Sequence, residues 1–236
     1  MYRSLRIGVF AYNFPHKKTE EGLFRLFASG VQVDAVMAAD PVELSFYQSQ
    51  VRVAPKGLEY IHPRQIAAQL EAPYHVVPHS SEECVDIIKA NNLDVGIILG
   101  ARIIPEETIR AFNIGILNMH PGLLPENRGL DNLKWAVLRR LKQGVSCHLI
   151  DKKIDRGQLI CRSEIDVYAD DTLLDVFLRI QNLELRLMMQ ALNILAGGER
   201  KFPAIGTGTY FKSVPPEEEA RLEDAFERYK LDYSEL

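Results

Sequence analysis

Short runs of apolar residues alternate, along the first half of the chain, with stretches in which apolar residues recur at helical spacing. The runs are typical of buried strands and lie at 6–10, 33–38, 74–77, 94–100 and 114–119. The helix-like stretches between them lie at 20–30, 82–92 and 106–112. Because strands and helices alternate in this way, the pattern predicts βαβ units on a mostly parallel sheet.

Glycine, serine and proline positions suggest where the helices begin and end. Gly30 is expected to end the first helix, and Ser80 followed three residues later by Glu83 has the spacing of a capping box for the helix at 82–92. Pro105 suits the first helical position before 106–112. Residues 41–72 are less regular, and within them only 62–72 has the spacing of a short helix.

The second half of the chain adds a hairpin and a long helix. The strand-like runs 145–150 and 158–167 are separated by a short turn at Gly157, which favours an antiparallel pair. Helices are expected at 131–141, 173–195 and 215–230, and a short strand at 206–211. We therefore predict an α/β fold with a Rossmann-like, mostly parallel twisted sheet flanked by helices. Its main domain spans residues 1–200, and a short strand-helix appendage spans 201–236.

Composition narrows the class of protein. The chain has 236 residues and a net charge of −4, with 47% hydrophobic and 25% charged residues, values that are average for a globular domain. No basic stripe supports binding to nucleic acid, and no apolar run approaches the roughly 18 residues of a membrane span. Three cysteines without CxxC spacing suggest a reducing compartment, and we expect a cytoplasmic protein. The six scattered histidines predict no metal site.

The densest candidate chemistry follows the strand at 114–119. Asn118 and His120 lie two residues apart, so on a strand they point to the same side. An amide donor beside an imidazole suits a reacting carbonyl, because the amide can stabilise an oxyanion while the imidazole moves a proton. Alternatively, Asn118 caps a loop and His120 is a buried histidine with satisfied hydrogen bonds.

A carboxylate in the predicted hairpin turn could complete this pair. Asp155 lies in the turn and could orient His120, although capping of the turn backbone is the ordinary role of such a residue. Asp151 is an equally placed carboxylate, and spacing alone does not choose between them. Dehydrogenase and hydrolase classes lack support, since the chain has no GxGxxG after a strand, no Walker loop, no HExxH and no GxSxG.

Taken in order, three motifs resemble the core signature of the folate-dependent formyltransferases. They are Asn118-x-His120-Pro121-x-Leu123-Leu124-Pro125-x-x-Arg128-Gly129, then Gly144-Val145-x-x-His148, then Ile154-Asp155-x-Gly157. The resemblance covers about residues 94–165 and implies an N-formyltransferase whose catalytic set is Asn118, His120 and Asp155. It is the resemblance that selects Asp155 over Asp151.

The same resemblance assigns neighbouring residues. His148 matches a family histidine that supports the site, a plain core position being the alternative. Asn127 departs from the family, which usually has an aromatic residue there, and we expect the departure to alter the mouth of the substrate site. The family's co-substrate is 10-formyltetrahydrofolate, whose pterin lies in an apolar slot. That slot is expected to involve Ala101, Arg102, Ile104, Ile150 and Asp151.

Within the family, the acceptor class separates the members. About 40 residues follow the long helix, too few for the barrel of methionyl-tRNA formyltransferase, and no regulatory domain of the deformylase kind precedes Arg6. Residues 11–19 differ from the Gly/Ser-rich phosphate loop of glycinamide ribonucleotide transformylase. The end of the chain, from Gly208 to Phe211 and the helix after it, resembles the small sugar N-formyltransferases.

We therefore expect formyl transfer to the amino group of an amino sugar, nucleotide-linked by preference. The acceptor would be a small molecule, with no nucleic acid or membrane partner; a homodimer is compatible with this class of enzyme. The residues expected to contact the acceptor are Lys17, Lys18, Arg128 and Tyr210. For either lysine alone a solvated basic turn is the better interpretation, and for Tyr210 simple packing is an equal one. Glycinamide ribonucleotide transformylase or deformylase activity is the alternative, followed by a folate-binding module without turnover.

Overall fold

The computed structural model describes residues 5–43, 49, 51 and 53–234. The strands among them are β1 (Ile7–Tyr12), β2 (Ala35–Ala39), β3 (Tyr74–Val76), β4 (Val95–Ile98), β5 (Gly115–His120), β6 (Arg128–Gly129), β7 (Gly144–Leu149), β8 (Gln158–Glu164) and β9 (Tyr210–Phe211). The helices are α1 (Lys17–Ala28), α2 (Pro63–Gln69), α3 (Glu82–Ala90), α4 (Glu106–Arg110), α5 (Asn132–Arg139), α6 (Leu173–Ala196), α7 (Pro216–Glu219) and α8 (Leu222–Tyr233).

Seven strands form one sheet in the order β3-β2-β1-β4-β5-β7-β8. The first five run parallel, while β7 pairs antiparallel with both β5 and β8. This confirms the predicted mostly parallel sheet and its antiparallel hairpin. The strand order reverses between β1 and β4, and in such sheets the crevice beyond the carboxyl ends of the strands is where ligands bind.

The sheet separates two apolar layers, and alternation along β5 decides which side chains enter each. Leu117 and Met119 belong to the larger layer, which also holds the buried residues of α6. Ile116 belongs to the smaller layer together with Cys84 and Ile88 of α3. Asn118 and His120 are in phase with Ile116, so the two polar residues share one face, as predicted.

Helix starts differ from the sequence prediction in detail. The capping box predicted for Ser80 and Glu83 is wrong by one residue, because Ser81 caps α3 and its hydroxyl oxygen accepts from the amide of Cys84. The reason is a preceding turn in which the Ser81 amide donates to the carbonyl of Pro78, so that Ser80 lies inside the turn. Pro105 likewise lies one residue outside α4, at its N-cap.

The C-terminal segment packs closely against the rest of the sheet. β9 pairs parallel with the two residues of β6, a strand that the sequence pattern did not indicate. The single helix predicted at 215–230 is divided into α7 and α8. The buried Glu219 carboxylate of α7 lies 2.5 Å from Lys134 Nζ of α5, and the Tyr229 hydroxyl of α8 donates to the carbonyl of Leu141. A domain boundary at residue 200 stays a prediction.

Candidate active site

A cavity of about 450 Å³ opens at the carboxyl edge of the sheet, between the ends of β4 and β5 and the turn that joins β7 to β8. Its lining residues are Ile98, Ala101, Arg102, Ile103, Ile104, Asn118, Leu130, Ile150, Asp151, Lys152, Lys153, Ile154, Asp155 and Tyr210. All five residues predicted for the pterin slot line this cavity, together with two of the three predicted catalytic residues. Their individual roles stay predictions, but the structure brings them to one place.

Asp155 is the carboxylate that reaches His120. Its Oδ1 lies 3.2 Å from His120 Nδ1, and its Oδ2 accepts from the Gly129 amide at 2.7 Å. Burial would raise the pKa of Asp155, but the hydrogen bond and charge of His120 and the Gly129 amide outweigh it, so the pKa is lowered. Asp151 instead accepts from the Lys153 amide at 2.7 Å within the turn. The geometry therefore favours Asp155 as the partner of His120.

The backbone of the turn is unusual at Asp155, which has a φ of +49°. A non-glycine residue pays a steric cost in this left-handed region, so surrounding contacts must hold it there. Two residues later Gly157 has a φ of +104°, and a Cβ at that position would lie 2.0 Å from the carbonyl oxygen of Leu149. Gly157 is therefore required for the turn to close against β7.

Arg128 supplies much of the support for this turn. Its guanidinium donates to the carbonyl of Ile154 at 2.6 Å and to those of Asp155 and Gly208 at 3.2 Å each. Arg128, which was predicted to bind the acceptor, thus donates three hydrogen bonds to main-chain oxygens, and these bonds join the turn to the C-terminal segment. A planar guanidinium suits such a set, because its donors are fixed in a fork.

Asn118 is oriented by His148. The Nδ1 of His148 donates to the carbonyl of Arg156 at 3.0 Å, which leaves Nε2 unprotonated to accept from Asn118 Nδ2 at 3.2 Å. Burial, reinforced by the charge of His120, lowers the pKa of His148 to about 4. A neutral His148 therefore fixes the Asn118 amide, whose second N–H and carbonyl oxygen remain for a ligand.

His120 lies behind the cavity and is only 3% exposed. Its Nε2 is 2.7 Å from the carbonyl oxygen of Asn127, so both ring nitrogens face protein acceptors. Asn127 is fully buried and does not shape the mouth of the site, which corrects the expectation drawn from its departure from the family. It bonds through its side chain to Asn132, a residue that sequence reasoning did not single out.

Lys17 and Lys18 are not brought into the cavity. Lys17 pairs with Glu21 one helical turn along α1. Lys18 donates to Glu184 at 2.7 Å and to the carbonyl of Met119 at 3.1 Å. The predicted acceptor contacts of the two lysines thus find no support in their placement, because internal partners use their charge. Tyr210 does reach the cavity, at its mouth, with 42% of its surface exposed.

Ser146 is a further residue that the sequence reasoning did not find. Its buried hydroxyl donates to the carbonyl of Gly122 and accepts from the amide of Leu124, which holds the loop after His120 against β7. An isolated serine on a strand carries no signal for such a role. Among the residues described, no cluster of three or more metal-ligating side chains occurs, and no helix is long and apolar enough to span a bilayer.

Solved structures of similar fold include formyltransferases of two groups. Phosphoribosylglycinamide formyltransferase from Anaplasma phagocytophilum matches with a TM-score of 0.64 and 20% identity, over 89% of this chain and 99% of that one. A sugar N-formyltransferase from Shewanella sp FDAARGOS_354 matches with a TM-score of 0.60 and 19% identity, over 88% and 77%. At such identities the likeness shows the fold alone.

Among curated proteins, methionyl-tRNA formyltransferase of Flavobacterium johnsoniae is 31% identical over 47% of this chain and 36% of its own length. That of Caldanaerobacter subterraneus is 25% identical over 75% of this chain and 56% of its own. The chain thus spans about a third to just over half of these relatives. The sequence profile of the formyl transferase family matches residues 48–192, more than half of the chain. With the motif residues gathered at one cavity, this chain belongs to the formyl transferase family.

Proposed function

We propose that this protein transfers the formyl group of 10-formyltetrahydrofolate to the amino group of an amino sugar, in particular a nucleotide-linked one. The observation that carries the proposal is the arrangement of Asn118 and Asp155 on one cavity wall, with Asp155 hydrogen-bonded to His120. An amide donor and a carboxylate-histidine pair are the groups that acyl transfer to an amine requires.

The size and lining of the cavity support a folate as its ligand. Its volume of about 450 Å³ lies within the usual range for small-molecule sites, and Ile98, Ile104 and Ile150 give it an apolar wall for a flat ring. The turn at 150–155 lines the same cavity beside these apolar side chains. Ile103 and Leu130, both exposed at the cavity, would lose contact with water when the slot is filled.

In the proposed reaction the acceptor nitrogen bonds to the formyl carbon, and the bond from that carbon to the folate nitrogen breaks. The Asn118 amide would donate its second N–H to the oxygen as negative charge develops there. Asp155 would accept the proton that the amine loses. His120, on the side of Asp155 away from the cavity, would stabilise the charge of that carboxylate. The folate nitrogen would leave after taking that proton from Asp155, so the proton lost by the amine ends on tetrahydrofolate and charge and atoms balance.

Two observations bear on the class of acceptor. Tyr210 places an exposed aromatic ring at the cavity mouth, where it can stack on a sugar or base. A similar fold is found for the formyltransferase PseJ from Anoxybacillus kamchatkensis, in complex with UDP-4,6-dideoxy-4-formamido-L-AltNAc and tetrahydrofolate, with a TM-score of 0.57 and 20% identity. The near-complete coverage of a phosphoribosylglycinamide formyltransferase makes glycinamide ribonucleotide the second candidate acceptor.

A panel of acceptors separates these candidates. The purified chain is incubated with 10-formyltetrahydrofolate and, in separate reactions, nucleotide-linked amino sugars, free amino sugars, glycinamide ribonucleotide, methionyl-tRNA or no amine. A mass gain of one formyl group on an amino sugar is expected. Gain on glycinamide ribonucleotide or methionyl-tRNA alone would overturn the acceptor class, and formate release without any amine would indicate a deformylase. No loss of formyl from the folate in any reaction would reject formyl transfer.

A further inference from the structure

The contact between His120 Nε2 and the main-chain oxygen of Asn127 constrains where His120 carries its proton. The two atoms are 2.7 Å apart and both residues are buried. A carbonyl oxygen can only accept a hydrogen bond, so a ring nitrogen this close to it must be the protonated one. Nε2 therefore carries a proton in the resting structure.

The other ring nitrogen faces the group that lines the cavity. Nδ1 lies 3.2 Å from Asp155 Oδ1, and the titratable groups that face His120 are Asp155 and, on the neighbouring strand β7, His148. A neutral imidazole has one ring proton and an imidazolium has two. If Nε2 keeps its proton in both forms, Nδ1 is the nitrogen that gains and loses a proton, and it does so toward Asp155.

A reciprocal pair of asparagines holds the Asn127 carbonyl in place. The Nδ2 of Asn127 donates to the carbonyl of Asn132 at 2.8 Å. The Nδ2 of Asn132 donates in return to the Asn127 carbonyl at 3.0 Å and to Asn127 Oδ1 at 3.3 Å. Gly122 closes the other side, where a Cβ would lie 2.6 Å from the same carbonyl oxygen. The oxygen has little room to move away from His120.

Asn132 also lies close to the ring, with its Nδ2 3.2 Å from His120 Nε2. An unprotonated Nε2 could accept from this amide, but it would then face the Asn127 oxygen at 2.7 Å with no hydrogen between two acceptors. The arrangement in which Asn132 uses its two N–H groups on Asn127, and Nε2 donates to the carbonyl, leaves no such conflict at Nε2. The pair formed by Asn127 and Asn132 therefore disfavours the neutral tautomer of His120 that carries its proton on Nδ1.

We infer that Asn127 and Asn132 are positioning residues that fix the proton of His120 on Nε2 and reserve Nδ1 for proton exchange with Asp155. This inference rests on the proposed function only for its consequence in turnover. The state of the ring can be measured without substrate, so failure of the inference and failure of the proposed function are distinguishable.

The first test is the wild-type protein with 15N-labelled histidine, observed by long-range 1H–15N NMR between about pH 5 and 8, where histidine titrates. His120 is assigned by the resonance that disappears in His120→Gln. We expect the Nε2 shift of His120 to be that of a protonated nitrogen at every pH measured. An Nδ1-protonated neutral tautomer in the wild-type protein would overturn the inference even if no variant could be prepared.

The second test removes the donors of the pair. Asn132→Leu keeps a similar side-chain volume but has no polar group, and Asn132→Ala removes the side chain beyond Cβ. In either variant we expect the Nε2 shift to move toward an unprotonated value, with turnover lower by up to about 10²-fold and KM for 10-formyltetrahydrofolate unchanged. Asn182→Ala, on the exposed side of α6, is the matched control. A folded Asn132 variant with the wild-type tautomer and wild-type turnover would contradict the role of the pair.

Discussion

The loop after β1 and the turn between β7 and β8 differ in what bonds to their charged groups. In the loop, Asn13 bonds to Asp40 and Tyr74, and the two lysines that follow bond to glutamates. In the turn, the main-chain carbonyls are held by Arg128 while the Asp155 side chain lines the cavity. Only the turn presents a charged side chain to a ligand.

The difference shows that the function of a charged residue depends on which bonding partners the fold places beside it. Lys17 has its carboxylate partner on its own helix α1, and Lys18 has its partner on α6, so the charge of both is already compensated. Asp155 is paired as well, but its partner His120 can itself gain or lose a proton. A paired group therefore remains chemically useful when the partner is titratable and the pair borders a cavity.

The largest expected effect comes from removing the carboxylate of the turn. Asp155→Asn keeps the size of the side chain but cannot accept a proton, and we expect turnover to fall by about 10² to 10⁴. Lys17→Ala is expected to leave both turnover and KM unchanged, because Lys17 is bonded to Glu21. Initial rates with the acceptor found by the panel measure both. Equal losses in the two variants would remove the contrast between loop and turn.

The stability of the fold in acid is a second way to test the turn region, because His148 bonds to the main chain of the turn. Its pKa is lowered to about 4 in the fold, against 6.5 for an ordinary histidine, so between these values the unfolded chain binds a proton that the folded chain does not. The free energy of unfolding should therefore fall as pH falls from 6.5 to 4, by about 3 kcal/mol from this group, with no further loss below the folded pKa.

Urea unfolding of the wild type and His148→Gln across this pH range isolates the contribution of His148. The lowered pKa values of His16 and His79 add to the slope of both proteins and cancel in the difference. We expect the variant to lose less stability on acidification, whatever its stability at neutral pH. Parallel curves would mean that His148 is not held neutral and that the orientation of Asn118 needs another cause.

The sequence pattern predicts the large sheet better than it predicts contacts between residues that are far apart along the chain. Apolar periodicity correctly located the strands of the large sheet and the hairpin, because buried strands and amphipathic helices leave a local pattern. The two-residue strand β6 left no such pattern, since its pairing with β9 depends on residues about 80 positions away. The partner of Lys18, Glu184, lies 166 positions further along the chain, so the sequence pattern could not show that the charge of this lysine is already paired.

Within the site, the motif residues could be named from their order, but their supporting contacts could not. Resemblance placed Asn118, His120 and Asp155 in one set, and the structure adds the distances that make the set a network. The sequence pattern gives no sign of the role of Asn132, because it is one polar residue at the start of a helix. Its importance appears only when the fold brings it beside His120.

A substitution of Arg128 can weaken the support of the turn without changing the carboxylate of Asp155. Arg128→Lys keeps the charge but replaces a fork of donors by one flexible ammonium, so most of its bonds to three carbonyls are lost. We expect the free energy of unfolding to fall by about 2 kcal/mol, and turnover to fall with it. Arg110→Lys, on an exposed arginine bonded only within α4, should change stability by less than about 0.5 kcal/mol. A comparable loss at both sites would show that Arg128 does not support the turn.

The smallest expected effect concerns the ion pair of the loop region. Lys18→Met leaves the Glu184 carboxylate without its cation and should lower the free energy of unfolding by about 1 kcal/mol, a modest value because the lysine is partly exposed. The double variant Lys18→Met with Glu184→Leu should recover most of that loss, since no buried charge remains. Turnover and KM should stay at wild-type values in both proteins. A rise in acceptor KM for Lys18→Met, with stability unchanged, would instead place Lys18 in the substrate site and make the two regions partners in binding.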